Sequence, residues 1–158
     1  MHNTKIDLAS ETREKLAEIL NQSLADATDL KSQAKQAHWN VKGMNFIALH
    51  ELFDQVATAA EAHTDLIAER ITTLGGTAFG TVRQAAERSS LAEYPLEITD
   101  GTAHVDALSS ALADFGRRVR ANIDEAASLG DQDTADLFTE ISRETDKNLW
   151  FVEAHIQS

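Results

Sequence analysis

Apolar residues recur along this chain every three or four positions in four long segments, the spacing of amphipathic helices. A glycine follows each of the first three segments, and glycine commonly ends a helix because it adopts backbone angles that other residues avoid. The pattern therefore predicts four long helices: about Ser10–Asn40, about Phe46–Leu74, about Thr102–Leu129, and a last one that begins near Asp133.

Each predicted helix carries an apolar stripe that is expected to face a common core. The first stripe comprises Leu16, Leu20, Leu24, Ala27, Leu30, Ala34 and Ala37. The second comprises Phe46, Leu49, Phe53, Val56, Ala60, His63, Ile67, Ile71 and Leu74. The third comprises Val105, Leu108, Leu112, Phe115, Val119 and Ile123, and the last helix carries Leu137, Ile141, Leu149, Val152 and Ile156.

The stretch Gly75–Gly101, between the second and third helices, has a different composition, with a pair of serines and the single proline, Pro95. A short helix is predicted within it over about Val82–Arg88. Two helices, a long crossover and two more helices make an all-α chain with the ferritin-like four-helix-bundle topology. We expect one domain over residues 1–158.

Composition narrows the classes of function. The chain has no cysteine, which excludes zinc fingers, iron–sulfur clusters and disulfide scaffolds. No apolar run approaches the length of a membrane span, and the first residues lack the apolar stretch of a signal peptide, so a soluble cytoplasmic protein is expected. The formal charge of -12 disfavours nucleic acid and favours metal cations, although acidity can also serve solubility alone.

Two polar pairs on the second helix are candidates for metal binding. His50 and Asp54 are four residues apart, as are Asp65 and Glu69, so each pair lies on one helical face. Imidazole with carboxylate suits iron or zinc, and two carboxylates suit iron, manganese or calcium. Taken alone, Asp65 and Glu69 are better explained as part of a solvated surface. The His50 and Asp54 pair is a rarer pattern, for which a surface hydrogen bond is the alternative explanation.

The spacing between the two pairs makes them more informative together. Asp54 and Asp65 are eleven residues apart, which is about three turns and about 16 Å along the helix axis. One ion therefore cannot contact both pairs within one chain. A twofold-related copy of the helix would place one chain's first pair opposite the other's second pair, twice per interface.

Two further residues could complete such a site. His38 ends the first helix and, if the two helices are antiparallel, lies within a few turns of His50; the alternative is a histidine favoured by the helix dipole. Trp39 is either a packing residue or a redox partner. His63 falls on the apolar stripe and is interpreted as a hydrogen-bonded core histidine. The Glu-x-x-His motif of di-iron centres inside ferritin bundles is missing from the sequence, which favours an interface site.

These motifs resemble those of a known family, the Dps mini-ferritins. The resemblance is carried by the stretch His38-Trp39-Asn40-Val41-Lys42-Gly43, by Phe46 and Leu49-His50-Glu51 through Asp54, by DLIAERITTLGG at Asp65–Gly76, and by the ending Asp146-Lys147 to Leu149-Trp150-Phe151. It extends over nearly the whole chain.

The resemblance implies a hollow homododecamer with a di-iron ferroxidase centre at each twofold interface, zinc being an alternative occupant in the isolated protein. The implied ligands are His38, His50 and Asp54 from one subunit and Asp65 and Glu69 from its mate. Fe(II) would be oxidised there, preferably by hydrogen peroxide, and the ferric mineral stored inside, which protects DNA from oxidative damage. The counterpart of Trp39 lies beside this centre in the family, which favours a redox role.

The resemblance also suggests negatively charged threefold pores that admit iron. The candidates are Asp131, Asp136 and Glu140, with helix capping as an equal alternative for Asp131.

DNA binding is where the sequence departs from the family's name. The first ten residues contain one lysine, Lys5, beside Asp7, and the end of the chain has no basic residue after Lys147. DNA binding is therefore expected to be weak or absent, even if the protein associates with the nucleoid. The rival functions are a DNA-compacting nucleoid protein, a helical oligomer without redox activity, and another di-metal ferritin.

Overall fold

The computed structural model describes residues 1–157 and consists of five helices. They are α1 (Ser10–Asn40), α2 (Phe46–Thr73), α3 (Val82–Arg88), α4 (Gly101–Ser128) and α5 (Gln132–Glu153). The all-α prediction is confirmed, and the predicted bounds of the long helices are within about one residue of the observed ones. The short helix predicted in the crossover is α3.

The four long helices form the bundle. α1 packs mainly against α2 and α4 mainly against α5, with further contacts between α1 and α4 and between α2 and α5. Two ion pairs, Lys31 with Glu61 and Lys35 with Asp54, and one ring stack, His38 on His50, join α1 to α2. Positions that rise along α1 meet positions that fall along α2, so the two helices are antiparallel. Over residues 1–157, none of the helices is both long and apolar enough to cross a bilayer.

The predicted stripes of α1 and α2 form the core almost as expected. Every member of the α1 stripe is buried, and so is every member of the α2 stripe except Phe46. Phe46 is the first residue of α2 and is 38% exposed. It contacts the ring of His50 instead, with the ring centroids 5.1 Å apart.

The stripe predicted for α5 was partly wrong. Ile141 and Val152 are buried, but Leu137 and Leu149 are only partly buried, and Ile156 lies beyond the helix. The side chains that complete the buried face are instead Ala135, Phe138, Ser142 and Thr145. Thr145 can be buried because its hydroxyl donates to the carbonyl oxygen of Ile141 at 2.7 Å. Its methyl group faces α4, where a Cβ on Gly116 would lie 3.3 Å from Cγ2 of Thr145.

The loop between α1 and α2 is fastened to the start of α4. The backbone N–H of Lys42 donates to the carbonyl oxygen of Thr99 at 3.0 Å, beside an isolated β-bridge between Lys42 and Asp100. Gly101 is required there because a Cβ would lie 2.9 Å from Cδ1 of Leu49. This attachment holds the end of α1 and the beginning of α2 in a fixed relation, and both candidate histidines lie there.

Candidate metal centre

The structure brings His38 and His50 together where α1 ends and α2 begins. Their rings are stacked, with centroids 3.7 Å apart. Nδ1 of His38 lies 2.7 Å from the carbonyl oxygen of His50, and Nδ1 of His50 lies 2.8 Å from the carbonyl oxygen of His38. The carbonyl of His38 is in the last turn of α1, where carbonyls lack partners within the helix, so the His50 ring also caps that helix.

These reciprocal contacts determine which ring nitrogens can bind a metal. A carbonyl oxygen only accepts, so each Nδ1 must carry the proton and donate it. Each Nε2 then keeps its lone pair, which is the form in which neutral imidazole binds metals. Both histidines are therefore prepared as ligands by hydrogen bonds to each other's backbone.

Asp54 lies one turn beyond His50 on α2 and is paired with a residue that the sequence analysis did not single out. Its Oδ1 lies 2.6 Å from Nζ of Lys35 on α1. The hydrogen bond from Lys35 is the main reason that the pKa of the Asp54 carboxyl is lowered, and the charges of Lys35, His38 and His50 add to the effect. Asp54 is thus a carboxylate at neutral pH, with an ammonium group in contact.

Asp65 and Glu69 lie further along α2 and are exposed. Neither side chain makes a hydrogen bond or ion pair within residues 1–157. Within that part of a single chain, no group of three or more His, Asp or Glu side chains is arranged to hold a metal ion. A single chain therefore carries two separate sets, the histidines with Asp54 and the carboxylate pair, as the spacing in the sequence requires.

Exposed aromatic and apolar side chains flank the histidine pair in the sequence. Trp39 is 66% exposed, and Nζ of Lys35 lies 5.7 Å from the centre of its ring. Nearby Met44 and Ile47 are also largely exposed. The candidate ligands of one chain thus border an apolar surface that this chain alone leaves in water.

The three pore candidates fall into two groups. Asp131 is the N-cap of α5 and is only 4% exposed. Its carboxylate accepts hydrogen bonds from the backbone N–H and the hydroxyl of Thr134. Nη2 of Arg70 donates to both carboxylate oxygens of Asp131, at 2.8 and 2.9 Å. Burial raises the pKa of Asp131, but the Thr134 and Arg70 hydrogen bonds outweigh it and leave the pKa below its usual value. The contacts support capping for Asp131, whereas Asp136 and Glu140 are exposed.

Two further histidines are buried. His63 is 2% exposed and its Nε2 lies 2.9 Å from a carboxylate oxygen of Glu144 on α5, the hydrogen-bonded core histidine that was predicted. His104 had no predicted partner, yet its Nδ1 lies 2.7 Å from the hydroxyl oxygen of Tyr94 in the crossover. His104 therefore links the crossover to α4.

Comparisons with known proteins agree on one family. A family model described as a ferritin-like domain matches residues 17–158. The DNA protection during starvation protein of Agrobacterium fabrum is 46% identical over 156 residues, covering 99% of this chain and 96% of that protein. The protein of the same name from Brevibacillus brevis is 32% identical and covers 90% of this chain and 95% of its own length.

Solved structures give the same result. The Dps of Mycobacterium smegmatis in its tetragonal form superposes with a TM-score of 0.94 at 31% identity, covering 99% of this chain and 96% of that one. A Dps protein from Vibrio cholerae, described as a member of a broad superfamily of ferritin-like di-iron-carboxylate proteins, has a TM-score of 0.91 at 26% identity. That superposition covers 99% of this chain and 98% of the other.

Proposed function

The chain belongs to the Dps family of ferritin-like proteins, and from this membership we propose that it oxidises Fe(II) at centres shared between two subunits. The ferric product is stored in a hollow shell of twelve identical subunits, each a single domain over residues 1–158, in the cytoplasm. Iron storage and DNA protection are broad properties of the family, whereas the oxidation reaction, its oxidant and the shell are the proposed parts.

The observation that carries the proposal is the His38–His50 pair. Reciprocal hydrogen bonds orient both rings and leave both Nε2 atoms as ligands, with the Asp54 carboxylate one turn away. Nitrogen ligands and carboxylates together are a suitable set for Fe(II). The set is incomplete in one chain, and exposed Asp65 and Glu69 are the acids best spaced for a twofold-related chain to complete it.

Hydrogen peroxide is the proposed oxidant. Two Fe(II) ions give one electron each to peroxide, the O–O bond breaks, and two protons convert its oxygens into two water molecules. The two Fe(III) ions then hydrolyse and join the mineral. Fe(II) and peroxide disappear together, so neither remains to generate hydroxyl radicals near DNA. Trp39, which is exposed and next to His38 in the sequence, is proposed to supply or take up a single electron.

Asp136 and Glu140 are proposed to guide Fe(II) towards the shell interior. Both are exposed near the start of α5. A ring of such negative charges, formed by several subunits around a pore, would concentrate cations. Asp131 is left out because Arg70 and Thr134 occupy its carboxylate.

Direct DNA binding is proposed to be weak or absent. The formal charge is -12 per chain. The N-terminal segment, where a DNA-binding tail would be sought, is attached to the bundle. The backbone N–H of His2 donates to the carbonyl oxygen of Gly75 at 2.6 Å, and the Arg13 side chain donates to the carbonyl oxygens of His2 and Leu8. A clear gel shift of DNA at neutral pH and about 0.15 M salt would overturn this part of the proposal.

The reaction is tested by adding Fe(II) and peroxide to the purified protein and following ferric absorbance. The variant Asp65→Ala, Glu69→Ala is expected to oxidise Fe(II) at least about tenfold more slowly. A control with the same change of charge, Glu61→Ala with Glu87→Ala, removes exposed acids that are not candidate ligands. Equal rates for wild type and the Asp65, Glu69 variant would contradict the site assignment.

A further inference from the structure

Within residues 1–157, Lys35 is the one basic side chain that forms an ion pair with a candidate ligand. Its Nζ lies 2.6 Å from Oδ1 of Asp54, and the two side chains are 30% and 49% exposed. Lys35 precedes His38 by three residues and Trp39 by four, so the three share the last turns of one face of α1. Its ammonium group thus lies among the groups proposed to receive a metal ion.

The ion pair occupies a carboxylate that a metal would need. A carboxylate oxygen that accepts a hydrogen bond from an ammonium group has a weaker lone pair left to bind a metal ion. A divalent cation beside Asp54 would also be repelled by the positive charge of Lys35, and such repulsion is strong between partly buried groups a few ångströms apart. Metal binding at Asp54 and the Lys35–Asp54 ion pair therefore compete.

Lys35 has a second partner to which it can turn. The ring of Trp39 lies with its centre 5.7 Å from Nζ, within the range of a cation–π interaction. The ammonium group can release Asp54 without losing every favourable contact.

We propose that Lys35 is the resident counter-ion of the metal-free centre: it holds Asp54 until a divalent cation displaces it, and so sets the metal concentration at which the centre fills. Lys35 acts through Asp54 and is a positioning residue. The inference rests on the proposed function, because it assumes that Asp54 is a ligand.

The chain contains a matched control for this role. Lys31 and Glu61 join the same two helices through an ion pair of the same length, 2.6 Å. This pair lies about one turn before Lys35 on α1 and about two turns after Asp54 on α2. Glu61 is not a candidate ligand. Replacing Lys31 removes the same charge and the same kind of ion pair without freeing a carboxylate of the site.

The test is calorimetric titration of the whole assembled protein with Zn(II), a redox-inactive probe that accepts imidazole and carboxylate ligands. Lys35→Met keeps the length of the side chain and removes its charge, and is expected to lower the Kd for Zn(II) by about tenfold. Lys31→Met is expected to leave the Kd within about twofold of wild type, and Lys35→Arg, which keeps the charge, should stay close to wild type.

The outcomes separate this inference from the function on which it rests. An unchanged or higher Kd in Lys35→Met, with wild type still binding Zn(II), would overturn the counter-ion role alone. An equal gain in Lys31→Met would also overturn it, because general surface charge would then be responsible. No Zn(II) binding in any of the proteins, each with the circular dichroism and size of wild type, would overturn the proposed function as well.

Discussion

The rings of His38 and His50 stack 3.7 Å apart, and each donates its Nδ1 hydrogen to the backbone carbonyl of the other. The pair joins the end of α1 to the start of α2 and at the same time fixes the tautomer that leaves both Nε2 atoms free. The contact that closes the helix hairpin is thus also the contact that orients the two candidate ligands.

Replacing His50 should remove more than one ligand. His50→Ala leaves the His38 ring without its partner, so we expect the rate of Fe(II) oxidation by peroxide to fall at least about tenfold. His155→Ala is the matched control, because its Nδ1 also donates to a backbone carbonyl, that of Phe151 at 2.9 Å, but no second histidine faces it. Stopped-flow ferric absorbance measures both. A His50→Ala protein as active as His155→Ala would contradict the assignment.

The Asp131 cap should matter for stability. Asp131→Ala removes the cap of α5 and leaves Arg70, only 15% exposed, without its main partner, so the free energy of unfolding should fall by about 3 kcal/mol. Asp133 is the control, because it is 86% exposed and lies 4.0 Å from Arg70. Asp133→Ala should change the free energy of unfolding by about 0.5 kcal/mol or less. Urea unfolding at one fixed protein concentration compares them. Equal losses would argue against the cap.

His104 should make stability depend on pH. Burial lowers the pKa of His104, and the carbonyl of Ile98, the Asp100 carboxylate and the carbonyl of Asn40 raise it by less. The unfolded chain therefore binds more protons below about pH 6.5, so stability is complete above that pH and declines as the pH falls towards the folded-state pKa.

Urea unfolding at about pH 7.5 and about pH 5.5 measures that decline. The difference between the two pH values should shrink in His104→Gln and persist in His155→Gln, since His155 is exposed. An unchanged difference in His104→Gln would assign the decline to other groups.

The acids at the start of α5 should affect how fast Fe(II) arrives. Asp136→Asn with Glu140→Gln removes two exposed negative charges, so oxidation at low Fe(II) should slow and lose part of its dependence on salt. Calorimetric affinity for Zn(II) should stay unchanged, since neither residue is a candidate ligand. A fall in that affinity with no change in salt dependence would refute a role in iron access.

The sequence predicted the helices and most of the core, because a 3.6-residue apolar period and helix-ending glycines are local signals. It predicted α5 less well: Leu137 and Leu149 are apolar but only partly buried, whereas Thr145 is buried against α4 near Gly116 with its hydroxyl bonded to the carbonyl oxygen of Ile141. Which residues of α5 are buried depends on the neighbouring helix, and the spacing of apolar residues in the sequence does not show it.

At the candidate site, too, some features follow from the local sequence and others only from the packing of distant segments. The face shared by His50, Asp54, Asp65 and Glu69 follows from spacing alone. The partners of the site do not, because Lys35 meets Asp54 and Tyr94 meets His104 only after distant segments fold together. A basic residue three positions before His38 was the available signal for Lys35, since helix geometry puts both on one face.

The central claim, a centre built from two subunits, is tested most directly by mixing two variants that are each expected to oxidise Fe(II) at least about tenfold more slowly than wild type. One carries His38→Ala and His50→Ala, the other Asp65→Ala and Glu69→Ala. At a twofold interface between unlike chains, one centre loses every altered ligand and the other is intact. Random co-assembly should therefore restore about a quarter of the wild-type centres and of the Fe(II) oxidation rate. Mixed particles of wild-type size that are as inactive as either parent would contradict the shared centre.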